Sequence, residues 1–266
     1  MSSRSSTDHS HAQLTAELRA AGCVFAEDEA RLLLATGLPA DDVAALVRRR
    51  CAGEPLEYLI GWVDFCGLRI AVEPGVFIPR QRTQFLVSQA LSNTRSGSIV
   101  VDLCCGSGAI GAGIAAGVPG IELYCTDSNP IAVGCARRNV SRWNGRACAG
   151  DLFNALPGEL RGRIDIVTAN VPYVPTAAIA LLPAEARDHE PRTALDGGSD
   201  GLEILRRVAA ELPPWLASGG WFGTECSRGQ VSDVVDILTA VGMQASTASD
   251  GADATTVVVG ARKAGG

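Results

Sequence analysis

From about residue 76 onward, short apolar runs rich in β-branched residues alternate with longer stretches whose apolar positions recur every three or four residues. The runs at 98–103, 121–126, 146–149, 164–169 and 219–225 predict strands, and the segments 108–117, 129–142, 202–217 and 228–240 predict helices. Continuous apolar strands alternating with amphipathic helices form βαβ units, which cover a parallel sheet on both faces. At the end of the chain, GMQASTAS and ATTVVVGARK predict two strands around an Asp250-Gly251 turn, which adds an antiparallel hairpin at the sheet's edge. The fold class expected is α/β, with a doubly wound, mostly parallel sheet.

The first 75 residues follow a different pattern. A polar leader, MSSRSSTDHSHAQ, merges into helical segments at about 11–21, 26–37 and 40–50. Pro39 and two acidic residues introduce the last of these, as suits a helix N-terminus. In PLEYLIGWVDFCGLRIAVEPG the period shifts, and aromatic and β-branched residues around Gly67 predict a β-hairpin between Pro55 and the Pro74-Gly75 turn. The expected organisation is a small N-terminal helical domain over 1–54, a hairpin linker over 55–75 and an α/β domain over 76–266.

Composition narrows the function classes. Among 266 residues, 47% apolar and 20% charged is the balance of a globular protein, and a net charge of −6 offers no overall field for a polyanion. Nine cysteines, an odd number with no C-x-x-C pair, read as reduced, mostly packed thiols rather than disulfides or a zinc site. No apolar run approaches the roughly 18 residues of a membrane span. A cytoplasmic protein with no membrane contact and no metal is expected.

Two stretches carry candidate chemistry. In SIVVDLCCGSGAIGAGIA a buried strand runs through a glycine turn into a helix, and Gly106, Gly108 and Gly111 fit G-x-G-x-x-G. Asp127 follows Gly106 by 21 positions, at the end of the next strand, where a carboxylate holds a ribose diol. Taken alone, this turn reads equally well as a nicotinamide site, or as a close-packed strand-helix turn with no ligand. Asp102 changes the balance, because a carboxylate there repels a pyrophosphate but suits the cationic amino-acid end of S-adenosylmethionine. The order Asp102, glycine turn, Asp127, Asp151, Asn170 on successive strands resembles class I S-adenosylmethionine-dependent methyltransferases. That resemblance implies a seven-stranded sheet and puts Asp151 and Leu152 beside the adenine.

The second stretch is Asn170-Val171-Pro172-Tyr173. An amide or aromatic amino nitrogen is a poor nucleophile because its lone pair is delocalised. Two acceptors aimed at its N–H bonds favour a more tetrahedral nitrogen and direct the lone pair at a methyl group. The Asn170 side chain and the Val171 carbonyl are the candidate pair. Pro172 keeps Val171 out of helical geometry, and Tyr173 offers a stacking face. The same residues could instead end a strand, with Asn170 satisfying backbone and Tyr173 packed.

Six blocks, PLEYLIGWVDFCGLRIAVEPGVFIPRQRT, VVDLCCGSGAIG, DSNPIAV, GDLF, ANVPYVP and HEPRTALDGGSDGLEILRR, resemble in their order the HemK/PrmC-type protein N5-glutamine methyltransferase family. The resemblance implies transfer of a methyl group from S-adenosylmethionine to the glutamine amide in the Gly-Gly-Gln loop of a peptide-chain release factor; a monomer is expected. It implies contacts to the donor from Phe77, Asp102, the turn Cys104, Cys105, Gly106, Ser107 and Gly108, then Asp127, Ser128, Asp151, Leu152 and Asn170. Asn170 to Tyr173 hold the amide, while Arg80, Glu190 and Pro191 border the substrate.

The chain departs from the family pattern at three places. Cys104 stands for the first glycine of Asp-x-Gly-x-Gly-x-Gly. Gln81, Arg82 and Gln84 in PRQRTQ replace a proline, an acid and a glutamate, and Val171 replaces a proline. Two alternatives follow from the residues. One is adenine amino-group methylation of RNA or DNA, since Asn-aliphatic-Pro-Tyr also resembles ribosomal RNA adenine dimethyltransferases and Arg137, Arg138, Arg142 and Arg146 could meet phosphates. The other, motivated by Cys104 and PRQRTQ, is an inactive binding module of the translation machinery.

Overall fold

A computed structural model describes residues 2–249 and 256–262. In chain order the helices are α1 (Ser2–Ala20), α2 (Ala26–Leu34), α3 (Ala40–Cys51), α4 (Leu56–Ile60), α5 (Gln84–Leu91), α6 (Ala109–Gly117), α7 (Pro130–Val140), α8 (Ala184–His189), α9 (Glu203–Glu211) and α10 (Val231–Ala240). The strands are β1 (Trp62–Phe65), β2 (Leu68–Ala71), β3 (Ile99–Leu103), β4 (Glu122–Asp127), β5 (Arg146–Ala149), β6 (Ile164–Ala169), β7 (Leu216–Cys226), β8 (Met243–Ser249) and β9 (Thr256–Arg262). The chain divides into two units, Met1–Trp62 with Pro183–His189, and Val63–Leu182 with Glu190–Gly266.

The first unit is helical. Leu18, Ala26, Ala30, Leu33, Val43, Leu46 and Val47 form its core. Arg50 on α3 is buried and donates to Glu29 on α2 at 2.6 Å and to Glu185 on α8 at 2.6 Å, so a segment distant in sequence joins this unit through a charged, hydrogen-bonded link. Helix α1 starts at Ser2 rather than near residue 11, because no glycine or proline interrupts the polar leader. The stretch after Pro55 forms α4 instead of the first arm of a hairpin. Leu56, Leu59 and Ile60 fall at helical spacing, pack against the same core, and Gly61 ends the helix with φ +82°.

The second unit opens with the β1–β2 hairpin, whose Cys66-Gly67 turn has both φ values positive, +51° and +70°, as a type I′ turn requires. The main sheet has seven strands in the order β5-β4-β3-β6-β7-β9-β8. Strands β3 to β7 pair in parallel, and β9 pairs antiparallel with both β7 and β8, so the expected terminal hairpin forms. The Asp250-Gly251 turn expected to close it lies outside the described residues.

Two boundaries moved around Pro213-Pro214. Pro213 and Pro214 cannot continue a helix, so α9 stops at Glu211 rather than 217, and β7 begins at Leu216. Helix α5 was not predicted. Its Leu86, Val87 and Ala90 are buried, although the stretch around them carries no clear period.

Strand β3 lies between β4 and β6, so the connections from β3 and β6 leave the sheet's carboxyl edge in different directions. In open α/β sheets this reversal opens a crevice. The ends of β3, β4, β5, β6 and β7 all lie on this edge. Among the described residues, no helix is long and apolar enough to cross a membrane.

Candidate active site

Strand β3 is buried along its whole length and delivers the chain into the glycine turn. Here Cys104, Gly106 and Gly108 take φ values of +51°, +53° and +75°. Glycine is needed at Gly108, where a Cβ would stand 3.0 Å from the Ala136 Cβ of α7. A Cβ at Gly106 would instead meet only Phe77 Cβ, at 3.9 Å, so the Gly106 backbone borders open space covered by Phe77. Ser107 Oγ is buried with no hydrogen-bond partner among the described residues. Cys104 adopts the left-handed conformation without being glycine, which strains the backbone. Burial and the nearby Asp127 and Asp102 carboxylates push its thiol up to about 12, so it is protonated at neutral pH.

The three aspartates have different roles. Asp102 does not face the crevice as the sequence suggested. It is fully buried, with Oδ2 accepting from Gly111 N at 3.0 Å and Oδ1 from Thr168 Oγ1 at 3.0 Å. Burial pushes its carboxyl up to about 7, while these two hydrogen bonds act in the opposite direction. Asp127, half-buried at the end of β4, accepts from Gly106 N at 2.9 Å and from Asn129 N at 2.8 Å. Burial raises its pKa, and the Asn129, Gly106 and Ser128 N–H groups oppose the rise. Asp151 is exposed and paired with Arg207 of α9. Its neighbour Leu152 is buried with φ +49°. Ser128 is exposed and Cys105 buried.

Beyond β6, Asn170 is half-buried and its side-chain amide bonds to no other described residue. Val171 is buried, and its carbonyl accepts no hydrogen bond from the described backbone. The turn that holds them is braced by residues 195–201. Val174 N donates to Leu195 O at 3.1 Å and Gly197 N to Val174 O at 2.9 Å. Gly197 and Gly201 permit this approach, because a Cβ would lie 2.6 Å from Pro172 O and 2.3 Å from Tyr173 O respectively. The block HEPRTALDGGSDG therefore includes the scaffold of the Asn170 turn.

The border residues also converge. Arg80 lies over the Phe77 ring at 4.9 Å and donates to the buried Glu190 at 2.7 Å, with the half-buried Pro191 beside it. Arg82, the reversed charge in PRQRTQ, pairs with Glu225 of β7 at 2.9 Å. Glu225, Thr224 and Gln230 were missed from sequence. A lone glutamate within the strand WFGTEC was the available signal for the first. The arginines considered for phosphate binding are engaged within the unit: Arg138 pairs with Glu73 at 2.6 Å and Arg146 with Glu122 at 3.1 Å. Arg137 donates to Ala147 O at 3.2 Å, and Arg142 stacks on Trp143 at 3.9 Å.

Residues 67–186 match the family model described as Methyltransferase small domain. The release factor glutamine methyltransferase of Geobacter sulfurreducens is 38% identical over 199 residues, which is 74% of this chain and 69% of that protein. The protein of the same description from Gloeobacter violaceus is 39% identical over 205 residues, 74% of this chain and 71% of its own length. Among solved structures, a methyltransferase from Pyrococcus furiosus shares the fold with a TM-score of 0.56 at 16% identity, over 74% of this chain and 90% of the other.

Asp102 gives a pH prediction. Its folded pKa of about 7 lies above the ordinary 3.8, so between those values the folded protein holds a proton that the unfolded chain has released. The Asp102 contribution to stability is therefore present at low pH and lost as pH rises through that window. Asp102→Asn can still accept from Gly111 N and bond Thr168, so it should flatten the fall in Tm between pH 4 and pH 8, roughly the window of that linkage. Parallel curves for the two proteins would refute the assignment. At the brace, Gly201→Ala forces a Cβ toward Tyr173 O at a φ of +80°. Urea unfolding should show a loss of about 2 kcal/mol or more, and no loss would mean that the brace yields freely.

Proposed function

Because the chain belongs to the release factor glutamine methyltransferase family, we propose that it transfers a methyl group from S-adenosylmethionine to the side-chain amide nitrogen of a protein glutamine, in the Gly-Gly-Gln loop of a peptide-chain release factor. The observation that carries this reading is the pair of acceptors on the Asn170 side chain and the Val171 carbonyl, which meet no donor among the described residues, one strand away from the glycine turn.

The residues present fit the donor. Gly106 presents bare backbone to the space under Phe77, and the Asp127 carboxylate stands beside it with acceptor capacity for a ribose. The turn Cys104 to Gly108, Asp127 with Ser128, and Asp151 with Leu152 would hold the donor, and Phe77 would cover it. When bound, S-adenosylmethionine supplies an electrophilic methyl group on a sulfonium whose loss requires no acid.

The chain's own task is to present the nitrogen. Asn170 Oδ1 accepts one amide N–H and the Val171 carbonyl the other, which favours pyramidalisation and fixes the lone-pair direction. Since Val171 contributes only its carbonyl, valine serves as well as the family's usual proline. Asp102 supports the site from below, and Arg80 with Glu190 limits the substrate's approach. A substrate that works on the ribosome supports a cytoplasmic enzyme.

The reading is tested by adding methyl-labelled donor separately to release factors and to deproteinised ribosomal RNA. Label should enter the release factor and be found on the glutamine side chain after proteolysis and mass spectrometry. Incorporation into RNA alone would overturn the substrate assignment.

A further inference from the structure

Strand β7, LASGGWFGTEC, contains one carboxylate, and it is buried. Glu225 is only 2% exposed, yet it accepts from three groups on two other segments. Arg82 Nε reaches Oε1 at 2.9 Å, Thr83 Oγ1 reaches Oε2 at 2.7 Å, and the Tyr173 hydroxyl donates to Oε1 at 2.9 Å. Arg82 Nη2 in turn donates to the Tyr173 hydroxyl at 2.7 Å. The phenol therefore uses both its donor and an acceptor site, in directions set by a buried acid and its counter-ion.

The same end of β7 fixes the rest of the turn. Thr224 Oγ1 donates to the Ala169 carbonyl at 2.7 Å, where β6 ends. Gln230 Nε2, in the 3-10 turn after β7, donates to the Tyr173 carbonyl at 2.9 Å. Thr224 and Glu225, adjacent in sequence, thus hold the two ends of the segment 169–173, and between them lie the Asn170 and Val171 acceptors, which meet no donor among the described residues. A hydrophobic side chain at Glu225 would fill the space but would give Tyr173 no direction.

We propose that Glu225, with Arg82 as its counter-ion, is a positioning residue for methyl transfer: through the Tyr173 hydroxyl it holds the Asn170 and Val171 acceptors in register. This rests on the reading of that turn as the amide clamp. It gives the reversed charge of PRQRTQ a role, because Arg82 neutralises an acid that serves the turn from behind.

The test uses the full chain and the variants Glu225→Gln, Tyr173→Phe and their double, with Arg82→Ala and Arg82→Lys. Hydrogen exchange in the peptide covering 169–176 should speed up about 10-fold or more in both single variants, with no change over 104–108. In methyl transfer to a release factor, kcat should fall about 10- to 100-fold while the affinity for S-adenosylhomocysteine stays within about 3-fold. The double variant should be no worse than the poorer single, since both cut one linkage. Arg82→Lys should keep most of the kcat that Arg82→Ala loses. Unchanged exchange at 169–176, additive losses, or a kcat loss that merely tracks donor affinity would overturn the inference. Because exchange does not depend on the acceptor, a wild-type chain that leaves glutamine unmethylated would count against the substrate reading alone.

Discussion

The carboxylate of Asp102 joins the two turns on which this site depends. One oxygen accepts from Gly111 in the first turns of α6, and the other from Thr168, two residues before Asn170. The helix that follows the glycine turn and the strand that delivers the Asn170 turn are thereby referred to a single buried group. Any shift between them must stretch hydrogen bonds that have no water to replace them. The raised pKa of Asp102 is the electrostatic cost of this location, and it is tolerable because the group can carry a proton near neutrality.

Around that link, the crevice is shaped by close approach. Gly111 lets α6 lie on the sheet, since a Cβ there would stand 3.0 Å from Cys125 Sγ. Gly197 and Gly201 let residues 195–201 lie against the carbonyls of Pro172 and Tyr173. Polar groups that face away from the crevice are nearly all satisfied, as Asp102, Thr224 and Glu225 illustrate. The acceptors of Asn170 and Val171 meet no donor among the described residues. Satisfied support behind unsatisfied acceptors is the arrangement expected of a preorganised site, where reacting groups meet little reorganisation on binding.

The sheet was legible in the sequence because its central strands β3 and β6 are buried almost throughout and therefore appear as apolar runs bounded by turn residues. Asp127 and the Asn170 turn were legible because they occupy strand ends, where spacing alone locates them. The partners of Asp102 were not legible: its position in the motif identifies the strand but not the interior groups that occupy both its oxygens. Glu225 was missed because its partners Arg82, Thr83 and Tyr173 lie 143, 142 and 52 positions away, beyond any local pattern. In α4, aromatic and β-branched residues suggested a strand, but tertiary packing of Leu56, Leu59 and Ile60 decided for a helix.

Whether the proposed site holds the nitrogen between two acceptors, rather than merely bringing it near a methyl donor, is decided by the single-turnover rate of Asn170→Ala. The rate should fall by about 100-fold or more with donor affinity nearly unchanged, because the lost group acts on the amide and not on the donor. A variant that transfers methyl at the wild-type rate would contradict the two-acceptor arrangement.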